Sequence, residues 1–351
     1  MTEEVYKKLA DALDTHPNGF PRTESGVEIA ILKKIFSRDE AIIACQLSRK
    51  QESYDSIAER LRLPANRVKS KLTEMVKRGL IRHNVQNGKS RYRLAPFIIG
   101  FYEAQLENMD HQLAHLVEEY LFEGGAEGIM RPQPAIHRVL PAQGAVKSEW
   151  ILPYDEVKNI IKANNIFSVR KCICRVQQDH LGRRCKFPLD VCLTFSSRKR
   201  PPRPGDISKK DALALLDKAD ETGLVHTVSN VMEGLSYICN CCSCCCNILR
   251  GVTDFGIENS VAHSNYYSEI NTDECTGCGI CKDRCQVNAI SIKDEIAVVN
   301  RRRCIGCGLC NTGCPTRAAR LRIKPEDEIV NPPVDFETWE LQRLRNRGII
   351  K

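Results

Sequence analysis

The chain has 351 residues, 42% of them hydrophobic and 27% charged, an ordinary globular composition with length for two or three domains. Its first stretch, MTEEVYKKLADALDTHP, lacks the apolar core of a signal peptide, and no apolar run approaches the ~20 residues of a membrane helix. Nineteen cysteines without an export signal therefore predict a cytoplasmic, reducing setting, as in an anaerobe, with thiolates spent on metal rather than on disulfides. The net charge of +8 is uneven: residues 1–100 carry 19 Lys and Arg against 12 Asp and Glu, leaving only +1 for the remainder.

In the first domain, residues 1–95, EIAILKKIFS (28–37) and residues 39–48 read as two short helices. SYDSIAERLRLP follows as a helix with Ser53 or Asp55 at its start and Pro64 at its end. Val68, Leu72, Met75 and Val76 then recur at helical spacing through Ala65–Leu80, and Ile81–Leu94 alternates around a turn at Asn87–Gly88. Helix, turn, helix and hairpin over residues 25–95 resemble the winged helix-turn-helix family. The resemblance implies DNA contact through Arg67, Lys69 and Lys71 on the recognition helix and Lys89 and Arg91 in the wing. A basic face of this kind also serves for docking a protein. Cys45, alone in AIIACQL, reads as apolar filler.

Residues 96–134 are expected to form one long helix, Phe97–Phe122, and a connector at Arg131–Pro134. Tyr102, Leu106, Met109, Leu113, Leu116 and Tyr120 make a stripe along it, suited either to the chain's own core or to the seam of a homodimer.

The middle domain, residues 135–265, carries Cys172 and Cys174 in RKCICR, then Cys185 and Cys192. It adds Cys239, Cys241, Cys242, Cys244, Cys245 and Cys246 in ICNCCSCCCN. A helix at Ile207–Asp220, N-capped by Ser208, and a strand at Leu224–Val228 lie between these groups and bring them back together. Neighbouring side chains diverge, so only part of the second run faces any one site. The expected centre draws on Cys172, Cys174, Cys185, Cys192, Cys239, Cys241, Cys242, Cys245 and Cys246. Its metal is a third iron–sulfur cluster, with zinc as the rival. His180, His226 and His263 lie near cysteines but read as satisfied histidines, and the basic loop Ser196–Pro204 reads as solvated.

The same spacing, C-x-x-C-x-x-C-x-x-x-C, then occurs twice: Cys275, Cys278, Cys281 and Cys285, and Cys304, Cys307, Cys310 and Cys314. Three cysteines at two-residue gaps wrap one face of an iron–sulfur cube, and the second run ends in the proline of bacterial cluster-binding runs. Ala289–Ile292 and Ile296–Val299 between the runs read as strands joined by a turn. Over residues 266–325 the chain resembles a bacterial two-cluster ferredoxin. The resemblance implies one [4Fe–4S] cluster on Cys275, Cys278, Cys281 and Cys314, and another on Cys304, Cys307, Cys310 and Cys285. Gln286 stands where the family usually has proline and is expected only to loosen the turn. Residues 326–351 read as a charged strap with a short helix at Glu337–Arg345.

The expected fold class is α+β multidomain: a winged helix, a cysteine-rich α/β middle domain and a ferredoxin-like domain. No dinucleotide fingerprint, P-loop or Ser/His/Asp arrangement is present. The leading expectation is an electron carrier serving a partner oxidoreductase, because a sensor needs only one labile cluster. A redox-sensing DNA-binding regulator, and an oxidoreductase with its active site at the middle-domain thiols, are the alternatives.

Overall fold

The structure is a computed structural model describing residues 2–147, 151–198 and 200–351. The chain is a mixed α/β protein that divides into two compact units.

The first unit comprises Met1–Pro132, Val176–Arg184 and Arg343–Lys351. Its helices α1 (Thr2–Asp14), α2 (Val27–Ile35) and α3 (Arg38–Ala44) pack together. Ser37 and Glu40 cap α3 reciprocally, each side chain taking the other's backbone N–H. Helix α4 (Tyr54–Leu61) is capped by Ser53 and closes on Arg62 in the left-handed region, at φ 54°. Helix α5 (Ala65–Lys77) follows directly from Pro64 and buries Val68, Leu72 and Met75. Strands β1 (Ile81–Gln86) and β2 (Lys89–Leu94) form an antiparallel hairpin. Its turn places Asn87 and Gly88 both at positive φ, which matches strand twist and suits these two residues.

The predicted single helix over 97–122 is broken. Ile98 and Ile99 are extended, a tight 3-10 turn covers Glu103–Gln105, and a new helix α6 (His111–Tyr120) starts where Asp110 accepts from the Leu113 N–H at 2.8 Å. Gly124 at φ 110° ends that run before α7 (Ala126–Met130). Burial outweighs helical periodicity here: Phe97 packs against Phe20 at 5.1 Å and Tyr120 at 5.7 Å, which a straight helix would not permit. Tyr102, Met109, Leu113 and Tyr120 are consequently buried within the unit. Of the two readings of the stripe, core and homodimer seam, this burial supports the core for these four residues.

The second unit comprises Gln133–Arg175 and Cys185–Gln342. Its elements run β3 (His137–Leu140), α8 (Val157–Lys162), β4 (Ile166–Lys171), α9 (Ile173–His180, of which the part to Arg175 belongs here), β5 (Asp190–Ser196) and β6 (Asp206–Ile207). There follow α10 (Lys209–Thr222), β7 (Val225–Ser229), β8 (Tyr237–Cys241), α11 (Asn247–Thr253) and β9 (Val261–Ala262). The strands make a seven-stranded sheet in the order β6-β4-β5-β8-β7-β3-β9, antiparallel except for β3 with β9. Leu140, Phe167, Leu193, Val228 and Ile238 form an apolar core with Val157 and Ile161 of α8 and Ala212 and Leu216 of α10. Side chains alternate along a strand, so Cys192 beside Leu193, and Cys239 beside Ile238, point to the opposite face.

The remainder of this unit runs β10 (Tyr266–Ile270), α12 (Ile280–Asp283), β11 (Ile290–Lys293), β12 (Ile296–Val299), α13 (Leu309–Thr312) and β13 (Ala319–Ile323). Strands β10 and β13 pair antiparallel, as do β11 and β12. After β13, the chain returns to β3 through α14 (Phe336–Asn346), whose Trp339 indole donates to the Ala135 carbonyl at 3.0 Å. In the first unit, buried Arg343 donates to the Pro17 carbonyl at 2.6 Å and to those of Ile129 and Pro132. Among the described residues, no helix is long and apolar enough to cross a membrane.

Candidate metal centres

Each repeated cysteine run places its first three thiols around a cavity and sends its fourth elsewhere. Cys275, Cys278 and Cys281 line one cavity with Cys314, whereas Cys304, Cys307 and Cys310 line another with Cys285. Gly277 and Gly306 make the loops possible. Both have positive φ, and a Cβ would strike the Glu295 backbone at the first and the Tyr266 carbonyl and Ser264 Oγ at the second.

The sulfurs are surrounded by donors. Backbone N–H groups of Ala289, Ala297 and Ala319 donate to Cys285, Cys275 and Cys314 at 3.2, 3.4 and 3.5 Å. Burial pushes the Cys310 thiol up to about 12 and Cys307 well above the ordinary range. Burial also raises Cys314, but the Ala319 N–H and Thr316 outweigh it and hold that thiol lower. Four thiols facing an apolar chamber, with N–H groups aimed at sulfur, fit an iron–sulfur cube, whose charge such donors stabilise. The residues present thus suit the cofactor. Loading it must displace protons from the buried thiols.

Four of the middle-domain thiols converge. Cys185, Cys242, Cys244 and Cys245 lie with all four sulfurs within 4.8 Å of one another. Cys185 comes from the loop between α9 and β5, and the other three from the loop after β8. Cys244 is not among the nine thiols expected of the centre; the turn at 243–245 brings it to the same place as Cys242 and Cys245. Contacts with Cys244 and Cys245, together with the Arg175 guanidinium, draw the Cys242 sulfur toward thiolate. Arg175 is itself buried and donates to that sulfur at 3.4 Å.

Cys172, Cys174 and Cys192 pack in one cluster with Cys185, Cys242 and Cys245, around Val191 and Leu224. Cys192, Cys239 and Cys241 stand on the sheet face away from the apolar core, Cys172 follows β4, and Cys246 precedes α11. Thr227 Oγ1 lies 3.5 Å from Cys241 and joins it to His137, which in turn contacts the Tyr237 hydroxyl at 2.9 Å. Of the nine thiols predicted for the centre, Cys185, Cys242 and Cys245 converge, joined by Cys244.

The ferredoxin-like and middle parts are tied at Arg284, Gln286 and Cys307. Arg284 donates to the Asp220 and Glu221 carbonyls at 2.7 and 2.9 Å, filling orphan acceptors at the end of α10. The Cys307 carbonyl accepts from the Ala142 N–H at 2.9 Å. Gln286 does more than loosen a turn. Its amide donates to the Gly223 carbonyl at 2.9 Å, and its oxygen accepts from Ser243, between Cys242 and Cys244.

Among the predicted histidines, His226 is a buried residue with Nε2 2.9 Å from the Asp220 carboxylate and Nδ1 hydrogen-bonded to Asn240. His263 meets the Glu258 carbonyl at 3.3 Å, and Cys45 donates to the Ile42 carbonyl at 3.2 Å. In the basic loop Arg200 pairs with Asp206 at 2.7 Å, while Lys199 lies outside the described residues. Arg67, Lys69 and Lys89 are exposed, and Lys71 and Arg91 are half-buried, with Lys71 paired to Glu74 at 3.0 Å.

Residues 274–318 match the family model described as a 4Fe-4S dicluster domain. No curated protein matches the chain, and no solved structure does.

Proposed function

We propose that this iron–sulfur-binding chain is an electron-transfer protein that passes single electrons through two [4Fe–4S] clusters to a partner oxidoreductase. The observation that carries the reading is the crossing of the cysteine runs: each cavity is lined by three thiols of one run and the fourth of the other. In this reading Cys275, Cys278, Cys281 and Cys314 hold one cluster, and Cys304, Cys307, Cys310 and Cys285 hold the second, in a ferredoxin-like βαββαβ unit. Cys278 is exposed, which suits electron exchange at the surface. Gln286, the residue after Cys285, links this unit to the middle-domain thiol loop through Ser243. Electrons supplied by a strong chemical reductant should appear as two reduced [4Fe–4S] signals by EPR and be passed on to a one-electron acceptor. A protein with about eight irons whose clusters cannot be reduced reversibly would overturn this reading.

A second reading, redox-regulated DNA binding by a winged-helix-like head, is favoured by the exposed Arg67 and Lys69 on α5 and Lys89 in the hairpin. It predicts duplex binding whose affinity falls steeply with salt, by about one unit of slope per phosphate contact. Equal lack of binding in oxidised and reduced protein would remove it.

A further inference from the structure

The spacing of the middle-domain sulfurs separates two kinds of centre. One ion held tetrahedrally by sulfurs at about 2.3 Å keeps those sulfurs about 3.8 Å apart. An iron–sulfur cube sets its thiolates outside four irons and four sulfides, and so much farther apart. The sulfurs of Cys185, Cys242, Cys244 and Cys245 all lie within 4.8 Å of one another, and Cys244 and Cys245 are 3.7 Å apart. That set has room for a single ion and none for a cube. Among the described residues it is the one group of three or more candidate ligands drawn together so closely.

We propose that Cys185, Cys242, Cys244 and Cys245 bind one zinc-class ion as a closed tetrahedral site. Each ligating thiol releases its proton as the metal–sulfur bond forms. The site ties the loop after β8 to the loop before β5.

The test uses the full chain prepared without oxygen, with zinc, iron and sulfide counted per chain. The expected result is one zinc per chain. The double variant Cys185→Ser/Cys244→Ser should lose the zinc and keep all the iron, and Cys192→Ser/Cys239→Ser, outside the set, should keep the zinc. Zinc-edge X-ray absorption on the unaltered protein should show four sulfur neighbours at about 2.3 Å, and it needs no variant to fold. Absence of zinc, a zinc with fewer than four sulfurs, or zinc retained by Cys185→Ser/Cys244→Ser in protein keeping its ferredoxin EPR signals would overturn the proposal. Failure of the electron-transfer reading shows separately, as loss of those ferredoxin signals themselves.

Discussion

The Gln286 side-chain oxygen accepts from both the backbone N–H and the hydroxyl of Ser243, at 3.0 and 3.2 Å. Gln286 follows Cys285, and Ser243 separates Cys242 from Cys244, so one side chain spans two cysteine-bearing loops. A proline at this position has neither the carboxamide oxygen nor the amide that reaches Gly223.

Gln286→Pro should therefore destabilise the second unit by about 2 kcal/mol, from three lost hydrogen bonds at about 0.5–1.5 kcal/mol each. For a unit of this size that is a fall of about 4–8 °C in thermal midpoint. Differential scanning calorimetry checks this, and EPR should show the ferredoxin clusters still present. A midpoint unchanged within a degree or so would show the bridge to be energetically idle.

Crossed ligation makes a pattern that uncrossed ligation cannot. Cys285→Ser combined with Cys304→Ser should abolish one cluster, about four irons, because both thiols line the same cavity. Cys285→Ser combined with Cys281→Ser should damage both clusters. Iron and sulfide counts with EPR decide it, and equal losses from the two pairs would refute the crossed sets.

Glycine replacement should discriminate between the loops. Gly279→Ala, at φ 80° with open space around the new Cβ, should cost only the left-handed strain of about 1–2 kcal/mol and keep both clusters. Gly306→Ala adds a clash with the Tyr266 carbonyl and should empty the cavity of Cys304, Cys307, Cys310 and Cys285. Visible absorbance and iron content after anaerobic purification report the difference.

His226 gives a pH dependence. Burial opposes its charge, but the Asp220 carboxylate, helped by Asn240, outweighs burial and raises it above 6.5. A raised histidine stabilises the fold fully below its unfolded value and loses that contribution as pH climbs through the folded one. Thermal midpoint should thus decline from pH 6.5 upward, and His226→Gln should flatten that part of the profile. A parallel decline in the variant would assign the effect to other groups.

The ferredoxin-like region was the most legible part. Its ligands recur at short fixed gaps, so local chain geometry alone restricts what they can hold, and the turn at Asp294–Glu295 follows from residues that accept positive φ. Ser53 and Ser208 as N-caps and the Asn87–Gly88 hairpin were readable for the same reason: each depends on neighbours a few residues away. The stripe from Tyr102 to Tyr120 misled because helical spacing is also produced by a chain that breaks, caps itself at Asp110 and buries the same residues.

By itself the sequence determined the two cysteine runs, the concentration of positive charge before residue 100, and the abundance of thiols in the middle. Only the tertiary structure decided which middle thiols share a place. Cys185 meets Cys242, Cys244 and Cys245 across a gap in sequence, and Cys192 is set beside Cys239 by strand register. Register and loop return are global properties, set by burial of Leu193 and Ile238 against α8 and α10, and no local spacing encodes them.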